Sequence, residues 1–249
     1  MRRLLPDPAD DVDLDEAYAV PPGPAVHLRV NFATTADGAV ELDGTSASVS
    51  GPADKRVFST LRGLADVILV GAGTARDEGY GPARPSAERQ DRRRAAGLSP
   101  VPPIALVSRR LDLDLDSPFF TAAQARPLLF TTEEAPPDIR RAAARAADVV
   151  LAGDRSVEVG RVLGELAVRG LRAVLCEGGP RLFRDVVAAG RLDELCLTIS
   201  PALAGPDRAH LLAGAALAQP QQMELRQLLS ADGQLFARYS TLSTTARSR

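Results

Sequence analysis

An α/β fold, with a mostly parallel central sheet, helices on both of its faces and an antiparallel C-terminal edge, follows from three features of this sequence. Short apolar runs alternate with helical stretches over most of the chain, as in parallel strands joined by crossover helices. Some runs are apolar nearly throughout, such as DVILV at 66–70, as strands buried on both faces require. The last two strand segments, 223–229 and 235–241, flank the turn Ala231-Asp232-Gly233, which closes an antiparallel hairpin. With 249 residues, 45% of them hydrophobic, the chain can bury one sizeable core.

Residues 1–24 are acidic and proline-rich, end in Pro21-Pro22-Gly23-Pro24, and read as a lead-in to a single domain over 25–249. VHLRVNFAT at 26–34 alternates as a strand does. Residues 52–64 read as a helix with Pro52 in its first turn. The strand at 66–70 runs into Gly71-Ala72-Gly73-Thr74. Residues 79–100 read as a loop, and the charge run 91–94 within it as a solvated surface. Strands are expected at 104–107 and 127–131, then a helix at 138–147, a strand at 149–151 and a helix at 156–169. A strand at 172–176, a helix at 180–189 and a strand at 195–200 precede the closing hairpin; Asp193-Glu194-Leu195 reads as structural.

Composition excludes several functions. A formal net charge of −2 provides no basic face for nucleic acid. The N-terminus lacks an apolar core of signal-peptide length, and no window approaches ~18 uninterrupted apolar residues. A soluble, cytoplasmic protein that binds neither nucleic acid nor membrane is expected. Cys176 and Cys196 each sit in an apolar run and read as buried thiols. His27 and His210 lack neighbouring ligands, so no metal site is expected.

Open α/β sheets bind ligands beyond the carboxyl ends of their strands, and four such ends carry unusual residues. Gly71-Ala72-Gly73-Thr74 allows close approach to an anion, or is an ordinary turn; the third glycine of a dinucleotide fingerprint is replaced by Arg76. Glu177-Gly178-Gly179-Pro180 joins a strand to a helix tip, where free N–H groups and the helix dipole attract anions. The glutamate would repel such an anion unless it serves a second, donor-rich ligand. Ser108-Arg109-Arg110 suits a phosphate monoester, or is a surface arginine pair. The first strand ends in Ala33-Thr34-Thr35-Ala36-Asp37-Gly38, with hydroxyls following at 45–48.

The segments NFATTADGAV, LRGLADVILVGAGT and CEGGPRLFRDVVAAGRLDELCLTISPALAG resemble the RibD C-terminal family, the reductase domain of bacterial riboflavin biosynthesis. The resemblance spans about residues 26–241. It implies a dihydrofolate-reductase-like fold and an NADPH-dependent reduction of 5-amino-6-(5-phosphoribosylamino)uracil at the sugar carbon. It also implies a small-molecule pyrimidine or pteridine partner and a homodimer. The zinc deaminase that often precedes this domain has no counterpart motif, so a stand-alone reductase is expected. Carried over position by position, Ala33, Ser48, Thr74 and Glu78 fall on cofactor-contacting places. Ser108, with Arg109, falls where the adenosine 2′-phosphate is expected, and Gly178, Gly179, Pro180, Arg181, Leu182 and Phe183 cover the pyrophosphate turn. Ser46, Arg62, Arg84 and Glu177 fall on substrate-contacting places, with Glu177 also the candidate proton donor. Related folds have a cis peptide at Gly178-Gly179. Two departures stand out: the chain has no tryptophan, where the family often has one at the Ser48 position, and residues 77–84 replace the usual segment framing the substrate phosphate. A reductase of a pteridine or another pyrimidine, and a non-catalytic nucleotide-binding module, are the alternative readings.

Overall fold

The structure, a computed structural model, describes residues 1–42 and 45–242; the last residues of the predicted domain, 243–249, lie outside them. The strands form one ten-stranded sheet. Its parallel part is centred on β2 (His27–Thr35) and β7 (Ala173–Cys176), which pair with each other. β7 pairs onward with β3 (Val67–Gly71), and β4 (Ile104–Val107), β5 (Leu128–Thr131) and β6 (Asp148–Leu151) extend the sheet on that side. On the other side β2 pairs in parallel with β8 (Glu194–Ser200). There the direction reverses: β8 pairs antiparallel with β10 (Gln234–Thr241), and β10 with β9 (Met223–Ala231). The mostly parallel sheet and its antiparallel C-terminal edge are as the sequence predicts.

The apolar strands are buried on both faces because their period-2 alternation feeds different cores. From β3, Val67 and Leu69 join the cluster beneath α7 (Val159–Val168) and α8 (Pro180–Ala188). Ile68 and Val70 join Leu106, Leu129 and Phe119 of α5 (Pro118–Thr121) on the opposite face, with Ala143 of α6 (Pro137–Ala146). α2 (Pro52–Leu64) buries Ala53, Val57 and Leu61 against Leu175 and Phe236.

Three features differ from the sequence expectations, and a fourth, the attachment of residues 1–24, answers a point the sequence leaves open. Residues 79–100 are not all loop: α4 (Ala87–Ala95) lies within them, its first turn capped by Ser86, whose Oγ accepts from the Arg89 N–H at 3.2 Å. This helix has no apolar stripe to reveal it; its exposed side is laced by Arg92–Glu88 and Arg94–Asp91 ion pairs. The charge run 91–94 is not uniformly solvated, for Arg93 is 1% exposed. The Gly71-Ala72-Gly73-Thr74 segment is less a glycine turn than the start of α3 (Ala72–Asp77). Finally, the lead-in is fastened to the sheet. β1 (Arg2–Leu5) pairs antiparallel with β9, and α1 (Leu14–Ala17) ends where Arg29 and Arg238 donate to the carbonyls of Tyr18 and Ala17.

Candidate functional site

The carboxyl ends of β2, β3 and β7 open into a cleft of 430 Å³. Glu177 is the first residue after β7, held by its N–H, which donates to Leu69 O at 2.9 Å. Its side chain is only 2% exposed. Arg62, on the last turn of α2, donates to it twice, Nε to Oε1 at 2.6 Å and Nη2 to Oε2 at 2.7 Å. The Tyr80 hydroxyl adds a third bond to Oε2 at 2.9 Å. The guanidinium also lies over the Phe58 ring, 4.4 Å from its centroid.

Two-point guanidinium–carboxylate contacts are strong and directional. Burial alone would lower the Arg62 pKa, but the Glu177 carboxylate outweighs it and raises it. Burial, reinforced by the Glu177 charge, raises the Tyr80 phenol, so both donors keep their protons at neutral pH. With three donors on its two oxygens, Glu177 is arranged as an acceptor. That suits anchoring an amino group better than delivering a proton, the role expected for it from sequence.

Main chain also lines the cleft, at Gly179 and Pro180. Gly178 has φ +91°, in the left-handed region, and its peptide to Gly179 is cis. A Cβ on Gly179 would stand 2.1 Å from Thr74 Oγ1, so only glycine lets the backbone lie against that hydroxyl. Gly179 begins α8 without a side-chain cap, and Pro180 fills a first-turn place that needs no donor. The Arg181 and Leu182 N–H groups that follow have no intrahelical partner, whereas the Phe183 N–H donates to Gly179 O at 3.0 Å. This cradle fits a phosphate-bearing dinucleotide, with the Thr74 hydroxyl as an additional donor.

Of the residues singled out from sequence, Ala33, Ser46, Arg62, Thr74, Glu78, Glu177, Gly179 and Pro180 line this one cleft. Glu78 is tied to Ser46, accepting its N–H at 3.1 Å. Arg84 instead lines an adjoining 170 Å³ pocket that shares Phe58 and Arg62 with the cleft. Ser48 is exposed and donates to Leu42 O at 2.6 Å. Ser108 is buried at the end of β4, its Oγ accepting from Leu111 N–H at 3.0 Å, with Arg109 exposed beside it. Leu182 and Phe183 bury their side chains in the core, and Arg181 is exposed. Arg181 and Leu182 can serve an anion through their N–H groups, while the Phe183 N–H is taken by Gly179 O.

Sequence reasoning missed Asn31, Lys55, Phe58 and Tyr80, all on the cleft wall. Lys55, Phe58 and Arg62 recur at i, i+3 and i+7 on α2, a helical face legible in the sequence. Asn31 interrupts an apolar strand, and its Oδ1 is buried with no partner among the described residues. A buried acceptor left open in a cleft marks a place for a ligand donor.

Residues 26–235 match the family model described as the RibD C-terminal domain. The chain is 27% identical over 180 residues to the 2,5-diamino-6-ribosylamino-4(3H)-pyrimidinone 5′-phosphate reductase of Archaeoglobus fulgidus, covering 72% of this chain and 82% of that one. It is 29% identical over 188 residues to the enzyme of the same name from Methanothermobacter thermautotrophicus, covering 75% and 82%. These relatives are named for a pyrimidine with a 2-amino group, where the uracil compound expected from sequence has a 2-oxo group. Among solved structures, a pyrimidine reductase-like protein from Corynebacterium diphtheriae superposes with a TM-score of 0.83 at 26% identity, covering 93% of this chain and 100% of that one. A dihydrofolate reductase from Enterococcus faecalis shares the fold, with a TM-score of 0.50 at 12% identity, covering 87% and 97%.

Proposed function

The chain belongs to the RibD C-terminal domain family, and on that premise we propose that it is a riboflavin-biosynthesis reductase that reduces a 6-ribosylaminopyrimidine 5′-phosphate with NADPH. The observation that carries this reading is the division of one cleft between two chemistries. Bare main chain lies at Gly179 and Pro180, and the paired side chains of Arg62, Glu177 and Tyr80 line the same cleft.

NADPH, when bound, supplies the hydride. The N–H groups of Gly179, Arg181 and Leu182 and the Thr74 hydroxyl would hold its pyrophosphate. Ala33, Ser48 and Glu78 would border it, and Ser108 with Arg109 would take the 2′-phosphate, which sets NADPH apart from NADH. On the substrate side, Glu177 accepts an amino N–H of the pyrimidine through a lone pair its three donors leave open, and Asn31 Oδ1 accepts a second. Arg62 closes the wall beside Ser46. Lys55, a cleft cation that has no ion pair among the described residues, meets the substrate phosphate, and Arg84 adds positive charge from the adjoining pocket. The proton that accompanies reduction of the sugar carbon comes from cleft water, since Glu177 is arranged to accept.

We assign residues 25–249 as the reductase domain, and a cytoplasmic homodimer as its working form. Among the described residues no helix is long and apolar enough to cross a membrane. Half-exposed Leu5, Leu225 and Leu235 on the antiparallel edge support the dimer, and sedimentation equilibrium tests it.

A substrate panel followed by NADPH oxidation tests the reading. Turnover is expected with the phosphorylated 2,5-diaminopyrimidinone or its 2-oxo analogue, at least about tenfold faster than with dihydrofolate, a gap of 1.4 kcal/mol. Faster reduction of the pteridine would make it a pteridine reductase. NADPH binding without turnover of any of them would make it a nucleotide-binding module.

A further inference from the structure

We propose that Arg93 is a positioning residue for the substrate wall, acting through Arg62. Its guanidinium is buried between α4 and the end of α2. Nη1 donates to the carbonyls of Arg62 at 3.1 Å, Gly63 at 3.0 Å and Ala65 at 2.7 Å, and Nε donates to Ser99 O at 2.7 Å. All four acceptors are main-chain oxygens. A helix leaves its last carbonyls unpaired and its C-terminus negative; α2 meets both conditions with one buried cation, a costly group to desolvate with no carboxylate in ion-pair contact among the described residues.

The turn so held is the one that presents Arg62. Residue 62 is therefore gripped at both ends, at its carbonyl by Arg93 and at its guanidinium by Glu177. The two helices approach closely here: a Cβ on Gly63 would come 2.6 Å from Arg89 Cδ. α4 is in turn fastened to the N-terminal segment, since Arg89 and Arg92 both bind Asp15. The buried arginine thus carries the position of α4 into the site.

The inference rests on Arg62 being a substrate residue, so it needs one readout free of the substrate's identity. In NMR spectra the Arg62 Nε–H, held by Glu177, is expected to be protected from solvent exchange. The Arg93→Met variant is expected to lose at least roughly tenfold of that protection, while the Leu182 amide is unchanged. Retained protection of Arg62 Nε–H would overturn the proposal, whatever the enzyme turns over. If Arg93→Met does not fold, Arg93→Lys is measured in its place; it keeps a charge at the helix end but bonds fewer carbonyls, and an intermediate loss is expected. Kinetics with the pyrimidine supply the second arm. Arg93→Met is expected to raise its KM roughly tenfold in the wild-type background and less than about twofold in an Arg62→Met background, because coupled residues are not additive. Equal fold-losses in both backgrounds would reduce Arg93 to a general stabiliser. Wild-type protein that protects Arg62 Nε–H yet turns over no pyrimidine would refute the function and leave the Arg93 contact standing.

Discussion

Arg62 and Glu177, 115 positions apart in the chain, meet through two parallel hydrogen bonds of 2.6 and 2.7 Å on the wall of the cleft. The contact joins the end of α2 to the end of β7, so it fixes the distance between two elements that line the cleft. Glu177→Gln replaces one acceptor oxygen by an amide facing donors, which removes the charge pair and one bond. Turnover of the pyrimidine is expected to fall by about 100-fold or more, a loss near 2.7 kcal/mol, with NADPH affinity within about twofold of wild type. Steady-state kinetics beside NADPH titration check both. A collapse of NADPH affinity with turnover untouched would move Glu177 to the cofactor.

Gly179→Ala tests the main-chain wall. Its Cβ would overlap Thr74 Oγ1 at 2.1 Å, so the wall must move. NADPH affinity is expected to weaken by about tenfold or more, equivalent to 1.4 kcal/mol. Calorimetric titration of the Gly179→Ala and Gly179→Ala/Thr74→Ala proteins checks it. The double variant recovers fold stability by removing the clash, but not affinity, because it also lacks the hydroxyl donor.

Lys55, which has no ion pair among the described residues, gives a specificity test. Lys55→Met is expected to raise KM for the phosphorylated pyrimidine by about tenfold and leave KM for its dephosphorylated form within about twofold. Equal effects on both compounds would remove Lys55 from the phosphate. The same design applied to Arg109→Gln, with NADPH against NADH, tests the 2′-phosphate assignment.

The opposite end of the sheet carries an acid-sensitive lock. Glu194 is buried beside Arg29, whose Nε lies 2.5 Å from Oε1. Burial would raise its pKa, but His27 and Arg29 prevail and hold it at about 2, against an ordinary 4.5. A carboxyl whose pKa is lower in the fold stabilises the fold above its unfolded pKa and loses that contribution as pH falls through the folded one. Stability is therefore expected to drop between pH 4.5 and about 2. Glu194→Gln, which removes the titration, should cost on the order of 3 kcal/mol at neutral pH and flatten that acid limb. Urea midpoints across the pH range check it.

Much of the scaffold was legible because it is written locally. Pro52 opens α2 where its missing donor costs nothing, and DVILV reads as a buried strand because neither of its faces meets water. The glycines before Pro180 announce the cradle. What was not legible depends on partners remote in sequence. α4 is polar and is held by contacts to α1 and α2, so its own residues carry no apolar period. Arg93 looks like its exposed neighbours until the carbonyls of α2 surround it. Tyr80 sits in a glycine-rich loop, and only the fold brings its hydroxyl to Glu177. The carboxylate was noticed from sequence, but its arrangement as an acceptor follows from donors contributed by 62 and 80.

In the proposed function one cleft holds a dinucleotide against the main chain at 179–182 and a pyrimidine against Glu177. A crystal structure with NADP⁺ and the phosphorylated diaminopyrimidinone bound tests it most directly. Pyrophosphate oxygens are expected within hydrogen-bond reach of the Gly179, Arg181 and Leu182 amides, and a pyrimidine amino group on Glu177. A dinucleotide seated away from the α8 tip, or a pyrimidine that does not touch Glu177, would contradict it.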